Sequence, residues 1–311
     1  MNKLFFYIPG VYSIYTRYKG IKGTIAFIFK YIMICFMGSQ AYEQFFNGFY
    51  FILGMFLMFT MYEFGYIQND AETIKYEEYP TMRLTDDDLV FYEKHKGSIY
   101  ASRLFYMLLL IAISYAIGIK ILIIILAVTT IPVFLIYNHI RCKWNLHIHV
   151  ILMFLRYAVP VFFSCNFANL ALSCWMLAVH PLLIFMELSV KGKFGYQNKF
   201  LKKYILHVFD EKHVNTFRVK YFTVLLLGTI LVAVYNIELK GFIWLSLYCW
   251  IFYVLVFLVA HPRKTGEIRV TKEDIAGSGN IVNLAHMVFS VHRYTAKEKE
   301  GETNTKNQYI K

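Results

Sequence analysis

Four carboxylates crowd one short stretch, GYIQNDAETIKYEEYPTMRL (residues 65–84), where Asp70, Glu72, Glu77 and Glu78 follow an apolar run. Like charges this close repel unless a cation or basic side chains neutralise them. Oxygen-rich groups of this kind suit Mg²⁺, which takes one or two carboxylates and completes its shell with substrate phosphates. Lys75 and Arg83 stand among them, so pairing in a solvated loop is the competing reading. Other ionisable residues fall inside apolar runs: Glu63, Arg156, His180 and Glu187. Such residues face a protein interior or a wet cavity and are site candidates by default. Glu63 lies seven residues before Asp70, on the same helix face, and His180 has the same relation to Glu187. Arg156 needs a partner, and Glu63, Glu187 or a bound phosphate could serve. For His180, a ring satisfied by a neighbouring helix competes with a cavity role. His139, Arg141, Lys143, His147 and His149 form a basic cluster read as a lipid-headgroup anchor rather than a site.

The elements that must position these groups are membrane spans. The 311 residues are 58% hydrophobic and 17% charged, outside the range of soluble domains. A spanning helix needs about 20 apolar residues. Eight runs qualify, at 23–40, 45–68, 99–117, 119–137, 148–165, 167–187, 218–236 and 240–260. Short connections join them into four hairpins, with longer polar stretches between hairpins. All the long connections, both termini and almost every exposed Lys and Arg then fall on one side. The positive-inside rule places that side in the cytoplasm of an inner or plasma membrane. The net charge of +12 reads as this topology plus attraction to membrane lipid, with no nucleic-acid partner.

The expected organisation is an interfacial N-terminal segment (1–22), a transmembrane helical domain (23–261) and a polar tail (262–311) carrying a further interfacial helix over 279–293. The N-terminus lacks a cleavable signal. Thr85, followed by three aspartates, predicts a helix N-cap with an acidic first turn. Five scattered cysteines imply neither disulfides nor zinc. The abundant Tyr and Phe are expected in interfacial belts.

The carboxylate stretch resembles the first motif of the UbiA-type intramembrane prenyltransferases, Asn-Asp and then acidic residues at fixed spacing (NDxxDxxxD), followed by a Pro-and-Arg segment. Asn69 and Asp70 match the opening pair, Glu77 the last acid, and Pro80 with Arg83 the segment that follows. Thr73 stands at the middle acidic position, with Glu72 beside it as a substitute one residue off. IYNHIRCKWNLHIHVILMFLRYAVPVFFSC (136–165) resembles the family's passage from fourth to fifth helix. In FMELSVKGKFGYQNKF, after the sixth run, Glu187 takes the first place of the second acidic motif, but Lys191 replaces the next carboxylate and the third is missing.

The resemblance covers residues 20–260. It implies an all-α integral membrane fold, an eight- or nine-helix bundle around a central cavity opening to the cytoplasm. It implies Mg²⁺ as cofactor, held by Asp70, Glu77 and Glu187 as the catalytic and metal residues. Asn69, Arg83, Arg156, Lys191 and Lys193 would bind substrate. The implied partners are a prenyl diphosphate donor and a small or lipid acceptor, and the implied reaction is transfer of the isoprenoid group between them. The eroded second motif leaves open a single Mg²⁺, direct use of Lys191 and Lys193 on phosphate, or a catalytically lost subunit acting in binding or assembly. A transporter is a third reading, with no inverted repeat to support it. The sequence names no protein partner.

Overall fold

The computed structural model describes residues 3–76, 81–140, 142–205, 214–236 and 239–260. Among them all regular structure is helical, with no strand. Helix α1 (Val11–Arg17) precedes a first span assembled from α2 (Gly20–Phe27), a wide π-type turn (Ile28–Ile32) and α3 (Met33–Ser39). Next come α4 (Gly48–Ala71), α5 (Asp86–Ala116), the end-to-end pair α6 (Ile121–Val128) and α7 (Thr130–His139), and α8 (Asn145–Cys165). Helices α9 (Leu170–Val179) and α10 (Pro181–Val190) form a pair bent by 41°, and α11 (Val214–Tyr235) and α12 (Gly241–Ala260) follow. Among the described residues seven helices are long and apolar enough to cross a membrane, eight if the bent pair is one span, so the chain is a multi-pass membrane protein.

The eight expected runs map onto these spans. The largest difference is α5, which starts at Asp86, well before its apolar stretch. The cause is local. Thr85 Oγ1 accepts from the Asp88 backbone N–H at 3.3 Å, while the Asp88 carboxylate accepts from the Thr85 N–H at 3.0 Å, a reciprocal capping box. Asp88 also takes Lys3 Nζ at 2.5 Å and the Tyr15 hydroxyl at 3.2 Å, which ties the start of the chain to this helix end.

Helices α4 and α8 are central, with 67% of each span buried against 17% for α5. Two glycines on α4 permit this. A Cβ on Gly54 would lie 2.6 Å from the Cβ of Phe163, and one on Gly65 would run into the Phe134 ring. Beside this main core, Phe5, Phe6 and Tyr12 pack with Ile67, Leu84, Tyr92 and Ile99 into a second one, so the N-terminal segment covers the ends of α4 and α5. The tail at 262–311, with the helix expected over 279–293, lies outside the described residues.

Candidate anion-binding cavity

Asp70 occupies the last turn of α4, side chain fully buried. Arg17, at the end of α1, grips both its oxygens, with Nη2 2.9 Å from Oδ1 and Nη1 on Oδ2. The Tyr12 hydroxyl donates to Oδ2 at 3.0 Å, Arg83 Nη1 to Oδ1 at 3.3 Å and Asn69 Nδ2 to Oδ1 at 3.2 Å. Burial raises the Tyr12 phenol well above its usual pKa, and the charge of Asp70 adds to the rise. Burial pulls the Arg17 pKa down, but its hydrogen bonds and charge contact with Asp70 more than reverse this. The Arg17 guanidinium also lies 3.7 Å over the ring of Tyr66.

Arg156, in the middle of α8, is buried and meets no carboxylate among the described residues. Its Nη1 donates to the Tyr66 hydroxyl and its Nη2 to the Tyr18 hydroxyl, both at 2.9 Å. The guanidinium sits 4.4 Å from the Tyr31 ring centre and 5.1 Å from that of Tyr62. Pro160 explains part of this cage. Lacking an N–H, it leaves the Arg156 carbonyl without its helical donor, and the Tyr31 hydroxyl fills the gap at 3.1 Å. The ring is thereby held under the guanidinium of the same residue. Tyr31 and Tyr62 belong to the interior rather than to the expected interfacial belt.

The two partners considered for Arg156 are taken elsewhere. Glu63 accepts from Arg103 Nη1 at 2.7 Å and from the backbone N–H groups of Gly10 (2.9 Å) and Ser13 (2.7 Å). Glu187 on α10 accepts from Arg218 of α11, Nε at 2.6 Å and Nη2 at 2.7 Å, a two-pronged pair. His180 sits at the bend between α9 and α10, buried, its Nδ1 without a partner and its ring 4.7 Å from that of Tyr157. Glu72 turns away from Asp70 towards α5, taking the Tyr92 hydroxyl at 2.5 Å and an ion pair with Lys96. It therefore does not stand in for the missing middle acid.

A cavity of about 470 Å³ opens beside Asp70. Arg17, Asn69, Arg83, Asn138, Asn145 and His149 supply its polar wall, and Tyr62, Tyr66, Phe134, Tyr137, Leu152, Met153 and Phe194 its apolar one. Asn138 Nδ2 is fixed by the carbonyl of Gly65 (3.0 Å) and by Gln68 Oε1 (2.8 Å), yet its Oδ1 has no partner. Asn145 Oδ1 is unpartnered as well. A buried acceptor left unmade costs about 1–3 kcal/mol.

Of the residues singled out in the sequence, the structure brings Asn69, Asp70 and Arg83 together, with Arg156 joined through Tyr66. Glu187 is buried against Arg218 and does not line this cavity. Lys191 is exposed at the end of α10 and also lies off the lining. Glu77, the side chain of Lys193, and Arg141 lie outside the described residues. Sequence reasoning missed Arg17, Arg103 and Arg218. Their signal was partial: Arg103 is the one charged residue in its apolar run, whereas Arg17 and Arg218 stand at the edges of theirs beside Lys19 and Lys220.

The described residues do not fit a Mg²⁺ ion. Asp70 accepts three guanidinium hydrogen bonds and Glu187 two, and no group of three His, Cys, Asp or Glu side chains converges among the described residues. In comparisons with family models, curated proteins and solved structures, the chain matches none.

Proposed function

We propose that the cavity binds an isoprenoid diphosphate and that the protein transfers its prenyl group to a small acceptor. The observation that carries this reading is charge: the guanidiniums of Arg17 and Arg83 line one cavity and share a single carboxylate, Asp70, while that of Arg156, bonded to the lining residue Tyr66, meets no carboxylate among the described residues. Excess buried positive charge in an apolar bundle is costly without an anion. Guanidinium forks match phosphate oxygens, and the apolar wall matches a hydrocarbon chain. The same cations would stabilise pyrophosphate as it departs, and the surrounding aromatic residues would keep water from the allylic cation.

The resemblance to the UbiA family supports the reading through Asn69, Asp70 and Arg83, and the basic side of the molecule is assigned to the cytoplasm on the same footing. The magnesium dependence implied by that family enters as one arm of the test. Protein reconstituted in liposomes is given a prenyl diphosphate, a panel of acceptors and either Mg²⁺ or EDTA, and pyrophosphate release is measured. Release above the protein-free rate supports the proposal. No release with any acceptor, in either condition, contradicts it.

A second reading is favoured by the closed ion pairs of Asp70 and Glu187, which leave neither carboxylate free for metal chemistry. In it the protein is a UbiA-like subunit that binds the same diphosphate without turning it over. Saturable binding with no pyrophosphate release selects this reading, and Asp70→Asn would then leave cellular function intact.

A further inference from the structure

The short connections between spans gather at the end of the bundle away from Asp70. Helix α4 begins there, where the Asn47 N–H donates to the Ser164 carbonyl at 2.9 Å, and reaches Asp70 only in its last turn. Asn166, after α8, holds the turn between α5 and α6: its Oδ1 accepts from the Lys120 N–H at 2.9 Å and its Nδ2 donates to the Gly118 carbonyl at 3.0 Å. Asn169 Nδ2 donates to the Tyr42 hydroxyl at 3.0 Å, and the Tyr42 ring meets that of Phe242, at the start of α12, edge to face. Lys120 and Lys240 therefore stand at the same end. Both are exposed, and neither makes an ion pair among the described residues.

Beside Lys240, α11 and α12 leave a groove of about 540 Å³. Ile230, Ala233 and Val234 of α11 line it, with Ile243 and Trp244 of α12 and Lys240 itself, the one charged residue in the lining. Ala233 is 3% exposed, and its small side chain leaves a depression between the more exposed Ile230 and Val234. Trp244 and Tyr235 are largely exposed, as aromatic residues are where a span meets the headgroup layer. Only 22% of the α11 span is buried, so this face of the bundle is turned towards the membrane.

An apolar groove with one cation at its interfacial end matches a molecule divided in the same way, a hydrocarbon chain with an anionic head. A second copy of this chain fits poorly, because a two-fold contact over the groove would bring two Lys240 side chains together with no lining carboxylate to separate them. A zwitterionic lipid matches the groove but brings its own cation to Lys240. We propose that the groove between α11 and α12 binds an anionic phospholipid of the surrounding leaflet, with one acyl chain over Ala233 and the phosphate at Lys240 Nζ. The site is separate from the Asp70 cavity and does not depend on the prenyl-transfer reading.

The test is native mass spectrometry of the full chain released from detergent, titrated with dioleoyl phosphatidylglycerol or dioleoyl phosphatidylcholine, which share their acyl chains. The first phosphatidylglycerol should bind about fivefold more tightly than the first phosphatidylcholine, the effect of one lysine on an anionic lipid. Lys240→Gln should abolish that preference, and Lys240→Arg should keep it. Lys120→Gln removes the other exposed lysine at this end, which lies off the groove, and should also keep it. Ala233→Leu fills the groove and should weaken binding of both lipids. Should it lower the melting temperature, Val234→Trp fills the groove from a position that is 75% exposed. No preference in wild type overturns the proposal, as does a preference that survives Lys240→Gln or falls equally in Lys120→Gln. Lipid binding unchanged by both groove-filling variants, or a dimer in place of lipid adducts, overturns it too.

Discussion

Arg103 and Arg156 are both buried arginines within spans, and their surroundings differ in one respect. Arg103 is completed. Glu63 takes one of its nitrogens, and the carbonyls of Phe6 (3.0 Å), Phe5 (3.3 Å) and Ile8 (3.4 Å) take the others. Arg156 has two tyrosine hydroxyls and two ring faces, and no counter-charge among the described residues. A completed ion pair is architecture, since it folds the first residues of the chain over α4 and α5. An incomplete one, joined to a cavity through Tyr66, is the basis of the anion binding proposed above.

Arg103→Met is expected to have the largest effect. It leaves Glu63 buried with no cation and should cost about 3–5 kcal/mol of stability, read from unfolding of the detergent-solubilised protein. A loss under about 1 kcal/mol would show that the pair does not hold the N-terminal segment, and the contrast with Arg156 would lose its meaning.

Gly65→Ala comes next, because the new methyl group meets the Phe134 ring on the cavity wall. Overpacking of this kind costs about 1–3 kcal/mol. It should also lower affinity for a prenyl diphosphate, whereas an equal loss of stability with unchanged affinity would separate the cavity from the close approach of α4 and α7.

Arg156→Met removes a charge that has no counter-charge among the described residues. Its unliganded stability should change by less than about 1 kcal/mol or rise, since apolar replacement of uncompensated buried charge is often neutral or stabilising. A loss as large as that of Arg103→Met would make Arg156 structural and erase the comparison.

The smallest effect belongs to Glu72, on the closed side. Burial tends to raise its pKa, but hydrogen bonds from Lys96 and Tyr92 outweigh burial and hold it below the usual carboxylate value. Its contribution is therefore present above the ordinary glutamate pKa of about 4.3 and lost as pH falls through the lower folded value. Being partly exposed, the group is worth no more than about 1 kcal/mol. The stability gap between wild type and Glu72→Gln should close on acidification from neutral pH to about pH 3, below the ordinary glutamate pKa, and a gap that persists would show that the pairing with Lys96 is not its source.

The spans were legible because apolar length is a property of each segment alone, and so was the Thr85 cap, whose residues are adjacent. The partners were not. Glu63 and Arg103 are 40 residues apart, Glu187 and Arg218 31, and nothing local in either segment says which buried acid meets which buried arginine. Arg156 illustrates the limit from the other side. Its need for a partner was readable, but that Pro160 would free its carbonyl and thereby seat Tyr31 beneath its own guanidinium depends on how α8 packs against the first span. Asn69, Asp70 and Arg83 were found because the motif is compact, whereas Arg17 reaches Asp70 only because α1 folds back across the end of α4.

The most direct test of the account is calorimetric titration of farnesyl diphosphate into the protein in lipid nanodiscs, with Mg²⁺ or EDTA, for wild type and Arg156→Met. The account predicts saturable binding to wild type that weakens about ten- to hundredfold in the variant, the loss of charge-assisted hydrogen bonds worth about 1.5–3 kcal/mol, with no drop in melting temperature. Equal affinity in the two proteins, or no binding by wild type in either condition, would contradict it.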